Sequence, residues 1–504
     1  MISHKRFSIG LISLLFLSLL LVSSSTVQAQ TPPPTTIPNF DCYRNASSLT
    51  AKMQLLAETH SNLSEFETIG ASFDGAPIYV LEIGNEANVG KPHFILLAGL
   101  HGNDFSQPEL GLQLAEKLLE GYGTDADLQW IVDNVELDLI LLANPDGRLG
   151  AEAQALTYSD PEDISFTTNK HNVDLEKNFC FPTLDSTVDC SNFAFEPETQ
   201  AIINYLETKF GEPTPDQSPQ EDSQNLFIYF SSHNKEISSP DMFSKFQGKL
   251  RIPKFYTTNL PGLTDPSLLR IKELTEMLRI FDPDPKYNIE TFKTEGLLFE
   301  KYPVDYLYFS YGIASVELSA PPAKESIPMG CDLFTSEHVK NYTNLLMNAA
   351  KAAAQPYKIG YGPIVDELTK TELTAVEVKF HATISEKNQI PNQPERNPIT
   401  SVHYHIDQPT GTDTEQLHGW VEIDDNPYTS AIDFAIPIKD LDMGKHVLTL
   451  QACSQDEVNN PNGECGRPLS AFLEVTDPDD TPDPGDPDPP GPVGNIIYLP
   501  LIRR

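Results

Sequence analysis

The sequence predicts an α/β protein with a mixed, mostly buried sheet flanked by helices, plus a smaller all-β sandwich domain. Three observations lead there. Residues 42–356 alternate short apolar runs with amphipathic stretches. Residues 372–476 carry period-two runs broken by Asn, Asp, Gly and Pro. Around these bodies the composition shifts to proline and aspartate, with 42 prolines in 504 residues, the mark of linkers.

In the first body, the runs from Ala76 to Ile83, His93 to Leu100, Leu137 to Ala143, Leu226 to Ser231 and Ile313 to Leu318 have strand length and apolar content. The stretches from Glu109 to Leu119, Glu196 to Phe210, Ser267 to Ile280 and Glu337 to Ala353 read as amphipathic helices. Glu196-Pro197-Glu198 supplies an acidic, proline-marked helix start. In the second body, Val376, Val378, Phe380, Ala382 and Ile384 alternate with polar residues, as do Val402, Tyr404 and Ile406. Further runs at Ile432 to Ile436, Leu448 to Ala452 and Ala471 to Val475 repeat the pattern. Such alternation means a half-buried antiparallel sheet. This many runs in one short segment suggest an immunoglobulin-like sandwich. His403 and His405 share one strand face and could touch a metal, though such a pair reads first as a solvated face.

The ends are read separately. Lys5 and Arg6, the uncharged apolar run from Ile9 to Val22, and Val27-Gln28-Ala29 make residues 1–29 a secretory signal peptide. Residues 30–41 form a Pro-rich linker, 477–494 an Asp/Pro-rich linker, and 495–504 an apolar tail. That tail is either a sorting or docking segment or a last strand. No transmembrane span is expected after signal removal, so the chain is expected to be secreted, or associated with the cell surface. The 34 Lys+Arg against 72 Asp+Glu give a net charge of −38, which repels nucleic acid and anionic membranes. Export permits disulfides. The simplest of the 15 possible pairings for six cysteines joins Cys180 to Cys190, Cys453 to Cys465 and Cys42 to Cys331.

The candidate chemistry begins at His101-Gly102-Asn103-Asp104, directly after an apolar strand. His followed three residues later by an acid also occurs at His171 and His233, so spacing alone carries little. Position carries more. His233 also ends an apolar strand, and functional groups gather at the carboxyl ends of parallel-type strands. Glu317 lies inside the apolar run from Ile313 to Leu318, where a carboxylate is costly unless paired or functional. Two His, a nearby acid and an isolated carboxylate suit a catalytic zinc site with its base.

In these residues the chain resembles the zinc metallocarboxypeptidases of the carboxypeptidase A type. His101-Gly102-Asn103-Asp104 is similar to the family's first metal motif. Asn144-Pro145-Asp146-Gly147, Val173-Asp174-Leu175-Glu176-Lys177-Asn178-Phe179, Glu196-Pro197-Glu198-Thr199, Ser232-His233 and Ser315-Val316-Glu317-Leu318 match further family segments in order. The resemblance implies one zinc ion (Zn2+) held by His101, Asp104 and His233, with Asp174 orienting His101 and Glu317 as general base on the activated water. It implies a peptide or protein substrate, cleaved at its C-terminal bond.

Three positions depart from the family pattern. Asp104 stands where Glu is usual. Glu176-Lys177 replaces Asn-Arg, and Lys170-His171 lies where an Arg is expected. Lys177, Glu176 and Lys170 are therefore the candidate substrate-binding residues, Lys177 supplying charge without the guanidinium fork. The same departures motivate two alternatives: a zinc amidase acting on a non-standard amide or peptidoglycan-type stem peptide, and a degenerate binding protein without turnover. The sandwich is expected either to contact a cell surface or polymer or only to space the catalytic body from its anchor.

Overall fold

The computed structural model describes residues 35–180, 190, 193–214, 223–231, 249–251, 288–290, 302–319, 329–332, 334–359, 362–373, 377–385, 399–407, 418–422, 429–437, 441–456, 460–476 and 496–500. The expected signal peptide, most of the first linker, the helix from Ser267 to Ile280, His233 and the second linker lie outside them.

Strands β1 (Thr36–Ile37) and β2 (Phe40–Arg44) pair antiparallel before α1 (Ala46–Thr59). Asn45 caps that helix by accepting from the Ser48 amide at 2.9 Å, which satisfies one of the amides a helix start leaves open. A hairpin of β3 (Ser64–Ala71) and β4 (Pro77–Ile83) leads to β5 (His93–Ala98), α2 (Ser106–Gly121) and α3 (Ala126–Asn134). Then come β6 (Glu136–Ile140), α4 (Pro145–Ala155), α5 (Pro197–Phe210), β7 (Leu226–Ser231), β8 (Lys249–Arg251) and β9 (Asn288–Glu290). The body closes with α6 (Pro303–Tyr311), β10 (Ala314–Ser319) and α7 (Ser336–Ala352).

Eight strands form one mixed sheet in the order β3-β4-β6-β5-β7-β10-β8-β9. Its centre, β6-β5-β7-β10, is parallel. All six residues of both β7 and β10 are buried, as expected of strands with helices on both faces. One face packs on α1, α2, α3 and α7 through Leu110, Leu114, Ile131 and Leu346. The other packs on α5 and α6 through Ile202, Tyr205, Tyr306 and Leu307. The helices α1, α3, α4 and α6 were not expected from the sequence, although α1 buries Leu49, Met53, Leu56 and Ala57 at helical spacing. The tyrosines near residue 306 are part of this packing: Tyr306 meets Phe179 at 5.9 Å and Tyr311 at 6.1 Å.

The second body is a sandwich of two sheets. One contains β11 (Ile364–Leu373), β12 (Glu377–Ser385) and β15 (Thr429–Pro437). The other has the order β14-β13-β16-β18-β19, with β13 (Ile399–Ile406), β14 (His418–Glu422), β16 (Gly444–Asp456), β18 (Leu469–Thr476) and β19 (Ile496–Pro500). β17 (Asn460–Cys465) pairs with β16. Val378, Phe380 and Ile436 of one sheet share a core with Val402, Leu448 and Leu473 of the other. β19 lies parallel to β18, so the apolar tail includes a last strand. His405 is only 5% exposed, which corrects the solvated reading: both sides of the strand are covered there. The nearby grouping of His403 with Cys453 and Cys465 is no metal site, because the two cysteines are bonded to each other.

All three disulfides follow the simplest pairing: Cys42–Cys331, Cys180–Cys190 and Cys453–Cys465. The sandwich meets the α/β body through charged groups. Lys351, 2% exposed, sits 2.6 Å from the Asp127 carboxylate and donates to the Pro468 carbonyl at 3.1 Å. Asp127 also accepts from the Ser470 amide at 2.9 Å, and Arg467 donates to Asn348.

Candidate metal centre

β5 delivers the chain to a tight loop, His101 to Asp104, before α2. That loop is held from three sides. Asn144 donates to the Leu100 carbonyl at 2.8 Å and caps α4 through the Gly147 amide at 2.8 Å. Arg148 donates to the Asp104 carbonyl at 2.7 Å, and its guanidinium lies 4.6 Å from the Phe105 ring centroid. Gln107 donates to the Ser231 carbonyl at 3.1 Å, joining the start of α2 to the end of β7. Arg148 and Gln107 were missed in the sequence. Their partners lie 44 and 124 residues away, and no local pattern encodes such a bond.

The His101 ring is buried among carboxylates. Its Nδ1 lies 4.0 Å from Asp104 Oδ1, and its Nε2 lies 3.3 Å from Asp174 Oδ1 and 3.6 Å from Glu176 Oε2. Burial acts to lower the imidazole pKa. The hydrogen bond to Asp174 and the charges of Asp104, Glu176 and Asp174 override it and push the value up to about 9. Burial acts to raise the Asp174 pKa, but His101 and Lys177 hold it well below the usual carboxylate range.

Glu317 stands on β10, 1% exposed, and its Oε1 accepts from the Ser231 hydroxyl at 2.6 Å. It lies in register with Tyr229 of β7. Burial raises the Tyr229 hydroxyl pKa, as do the charges of Glu176, Asp104, Glu317 and Asp174. The charge of Glu317 and those of the carboxylates around His101 thus act on the same buried hydroxyl.

The remaining expected contacts sit further out. Lys177 is 2.7 Å from Asp174 Oδ2, and its side chain is 57% exposed. Lys170, 58% exposed, lies 3.7 Å from Asp74, and none of its described contacts reaches His101. Neighbouring His171 stacks on Phe73 at 4.6 Å and faces Glu196 at 3.2 Å. Glu176, by contrast, is fully buried.

The donor set suits zinc. Imidazole nitrogen and carboxylate oxygen are both zinc ligands. His101, Asp174 and Glu176 also offer ligand atoms within 4.8 Å of one another. The geometry thus groups Asp174 and Glu176 on one ring nitrogen and Asp104 on the other.

Residues 49–242 match the family model described as zinc carboxypeptidase. Mouse carboxypeptidase M is 28% identical over 170 residues, 33% of this chain and 36% of that protein. Human carboxypeptidase D is 28% identical over 159 residues, 31% of this chain and 11% of that protein. The chain therefore spans about a third or less of the length of these relatives. The solved carboxypeptidase A of Helicoverpa armigera aligns with a TM-score of 0.44 at 16% identity, over 62% of this chain and 74% of that one.

Proposed function

We propose that this chain is a zinc-dependent hydrolase that removes C-terminal residues from peptides. The observation that carries the reading is His101, buried with Asp104 on one ring nitrogen and Asp174 on the other. His101, Asp104 and His233 would hold one zinc ion. When bound, it would lower the pKa of a water to about 7 and polarise a carbonyl.

The chain's own groups supply the rest. Asp174 fixes the tautomer and orientation of His101 through Nε2. Glu317 acts as general base and then passes a proton to the departing amine. The Ser231 hydroxyl fixes one oxygen of that carboxylate. Lys177 and Lys170 offer charge to the substrate. The same reading makes residues 1–29 an export signal, gives a secreted or cell-surface location, makes the sandwich immunoglobulin-like, and has it touch a surface or polymer.

One observation favours a second reading, a zinc amidase on a non-standard amide or stem peptide. Glu176 is buried beside His101, while Lys177 is paired with Asp174. A carboxylate there repels a free terminal carboxylate and accepts from an amide or ammonium. Mass spectrometry of a peptide pool incubated with the zinc-loaded chain tests both readings. C-terminal ladders absent with Glu317→Gln support the first. Cleavage confined to amidated or branched substrates supports the second. An unchanged pool overturns both.

A further inference from the structure

The sequence places Glu176 among the substrate-binding candidates, and its surroundings give it another task. Its side chain is 0% exposed, and both carboxylate oxygens are buried. Molecules arriving from solvent can meet Lys177, whose side chain is 57% exposed, but not those oxygens. Leu175 and Phe179, on either side of Glu176 in the chain, pack in the same core as Tyr229. The turn that carries Glu176 is thus pressed onto the sheet. Among the charges that raise the Tyr229 hydroxyl pKa, Glu176 contributes most, which fits a side chain directed inward.

Inward, Glu176 meets His101. Its Oε2 lies 3.6 Å from the ring Nε2, beside Asp174 Oδ1 at 3.3 Å. The three residues are tied together, because Asp174 Oδ1 also accepts from the Glu176 amide at 3.2 Å. The contact that orients the ring therefore also fixes the start of the turn. Asp174 divides its charge, since its Oδ2 accepts from the Lys177 ammonium at 2.7 Å. At 3.6 Å Glu176 is at ion-pair distance and beyond hydrogen-bond distance, so what it adds to the ring is charge. Negative charge behind the N–H of a metal-binding imidazole makes the opposite nitrogen a better donor and holds the tautomer. The Asn of the family pattern at this position can accept a hydrogen bond but brings no charge.

We infer that Glu176 is a positioning residue for His101, a second carboxylate behind Nε2 alongside Asp174, and that it does not touch substrate. This assignment rests on the zinc reading of His101 and is independent of which bond the chain cleaves.

The test uses the full chain and Glu176→Gln, which keeps the shape and removes the charge. Zinc affinity is read by chelator competition, and the His101 Nε2 proton by NMR of the zinc-loaded protein. Zinc affinity should fall about tenfold or more, and the ring proton should move upfield as the negative charge beside it is lost. KM for a peptide at saturating zinc should change by less than about threefold. Glu176→Asp, which holds the same charge one methylene further back, should fall between parent and Gln, and it carries the test if Glu176→Gln folds poorly. Unchanged zinc affinity in the variants overturns the inference. So does a KM raised about tenfold or more at saturating zinc with the ring proton unmoved, which would return Glu176 to the substrate side. The zinc and NMR measurements need no substrate, so a chain that binds zinc and cleaves nothing refutes the hydrolase reading alone. A parent chain that binds no zinc refutes both.

Discussion

Gly102 lies against Gly147 so closely that a Cβ on Gly102 would sit 2.2 Å from the Gly147 carbonyl oxygen. The loop carrying His101 and the turn that starts α4 therefore touch backbone to backbone. Gly102→Ala must displace one of them. Overpacking of this kind costs about 1–3 kcal/mol. The expected outcome is a lower urea midpoint and, because His101 moves with the loop, zinc affinity weakened at least tenfold in a chelator competition.

Arg148 is the second clamp on that loop. It donates to the carbonyls of Asp104 and Arg44 at 2.7 and 3.0 Å and to Glu152 at 3.0 Å. Arg148→Met leaves those acceptors unserved in a buried place, at a cost of about 3–5 kcal/mol. Arg148→Lys restores only part of this, because one ammonium cannot copy the fork. Urea unfolding of both variants checks the order: wild type, then Lys, then Met.

His101 makes metal uptake depend on pH. Its pKa in the metal-free protein is raised from 6.5 to about 9. The stability from its ion pairs is thus fully present below 6.5 and is lost as pH rises through about 9. A zinc ligand must be neutral imidazole, so zinc binding near pH 7.5 should release close to one proton from this residue. Calorimetry in two buffers of different ionisation heat measures it. Asp174→Asn should reduce the release and weaken zinc about 10- to 100-fold.

The seam between the bodies rests on a buried ammonium. Asp127→Ala strips Lys351 of its carboxylate and the Ser470 amide of its acceptor. The expected cost is about 3–5 kcal/mol, since an uncompensated buried charge remains. Lys351→Met in the same chain should recover much of it. A thermal double-mutant cycle decides, and additive losses would mean the pair is not coupled.

Much of this architecture is legible in the sequence, for definite reasons. Leu226–Ser231 is uniformly apolar, as a strand buried on both faces must be. The isolated acid Glu317 and the strand-ending His101 stand out against such runs, and the cysteines pair in the simplest way. What escapes is set by partners far along the chain. Arg148 reads as an ordinary surface charge until the Asp104 carbonyl is brought to it. Tyr205 looks like helix packing, yet its hydroxyl lies 2.7 Å from both Glu82 and Asp138. His405 fails for a different reason: the period-two rule assumes one wet face, and this strand lacks one at that point.

The Cys42–Cys331 bond joins residues 289 apart and encloses the loop of His101, Asp174 and Glu317. A protease that nicks the chain once between those cysteines therefore releases nothing. The two pieces stay linked, migrate as one species on a non-reducing gel and separate only after a thiol is added.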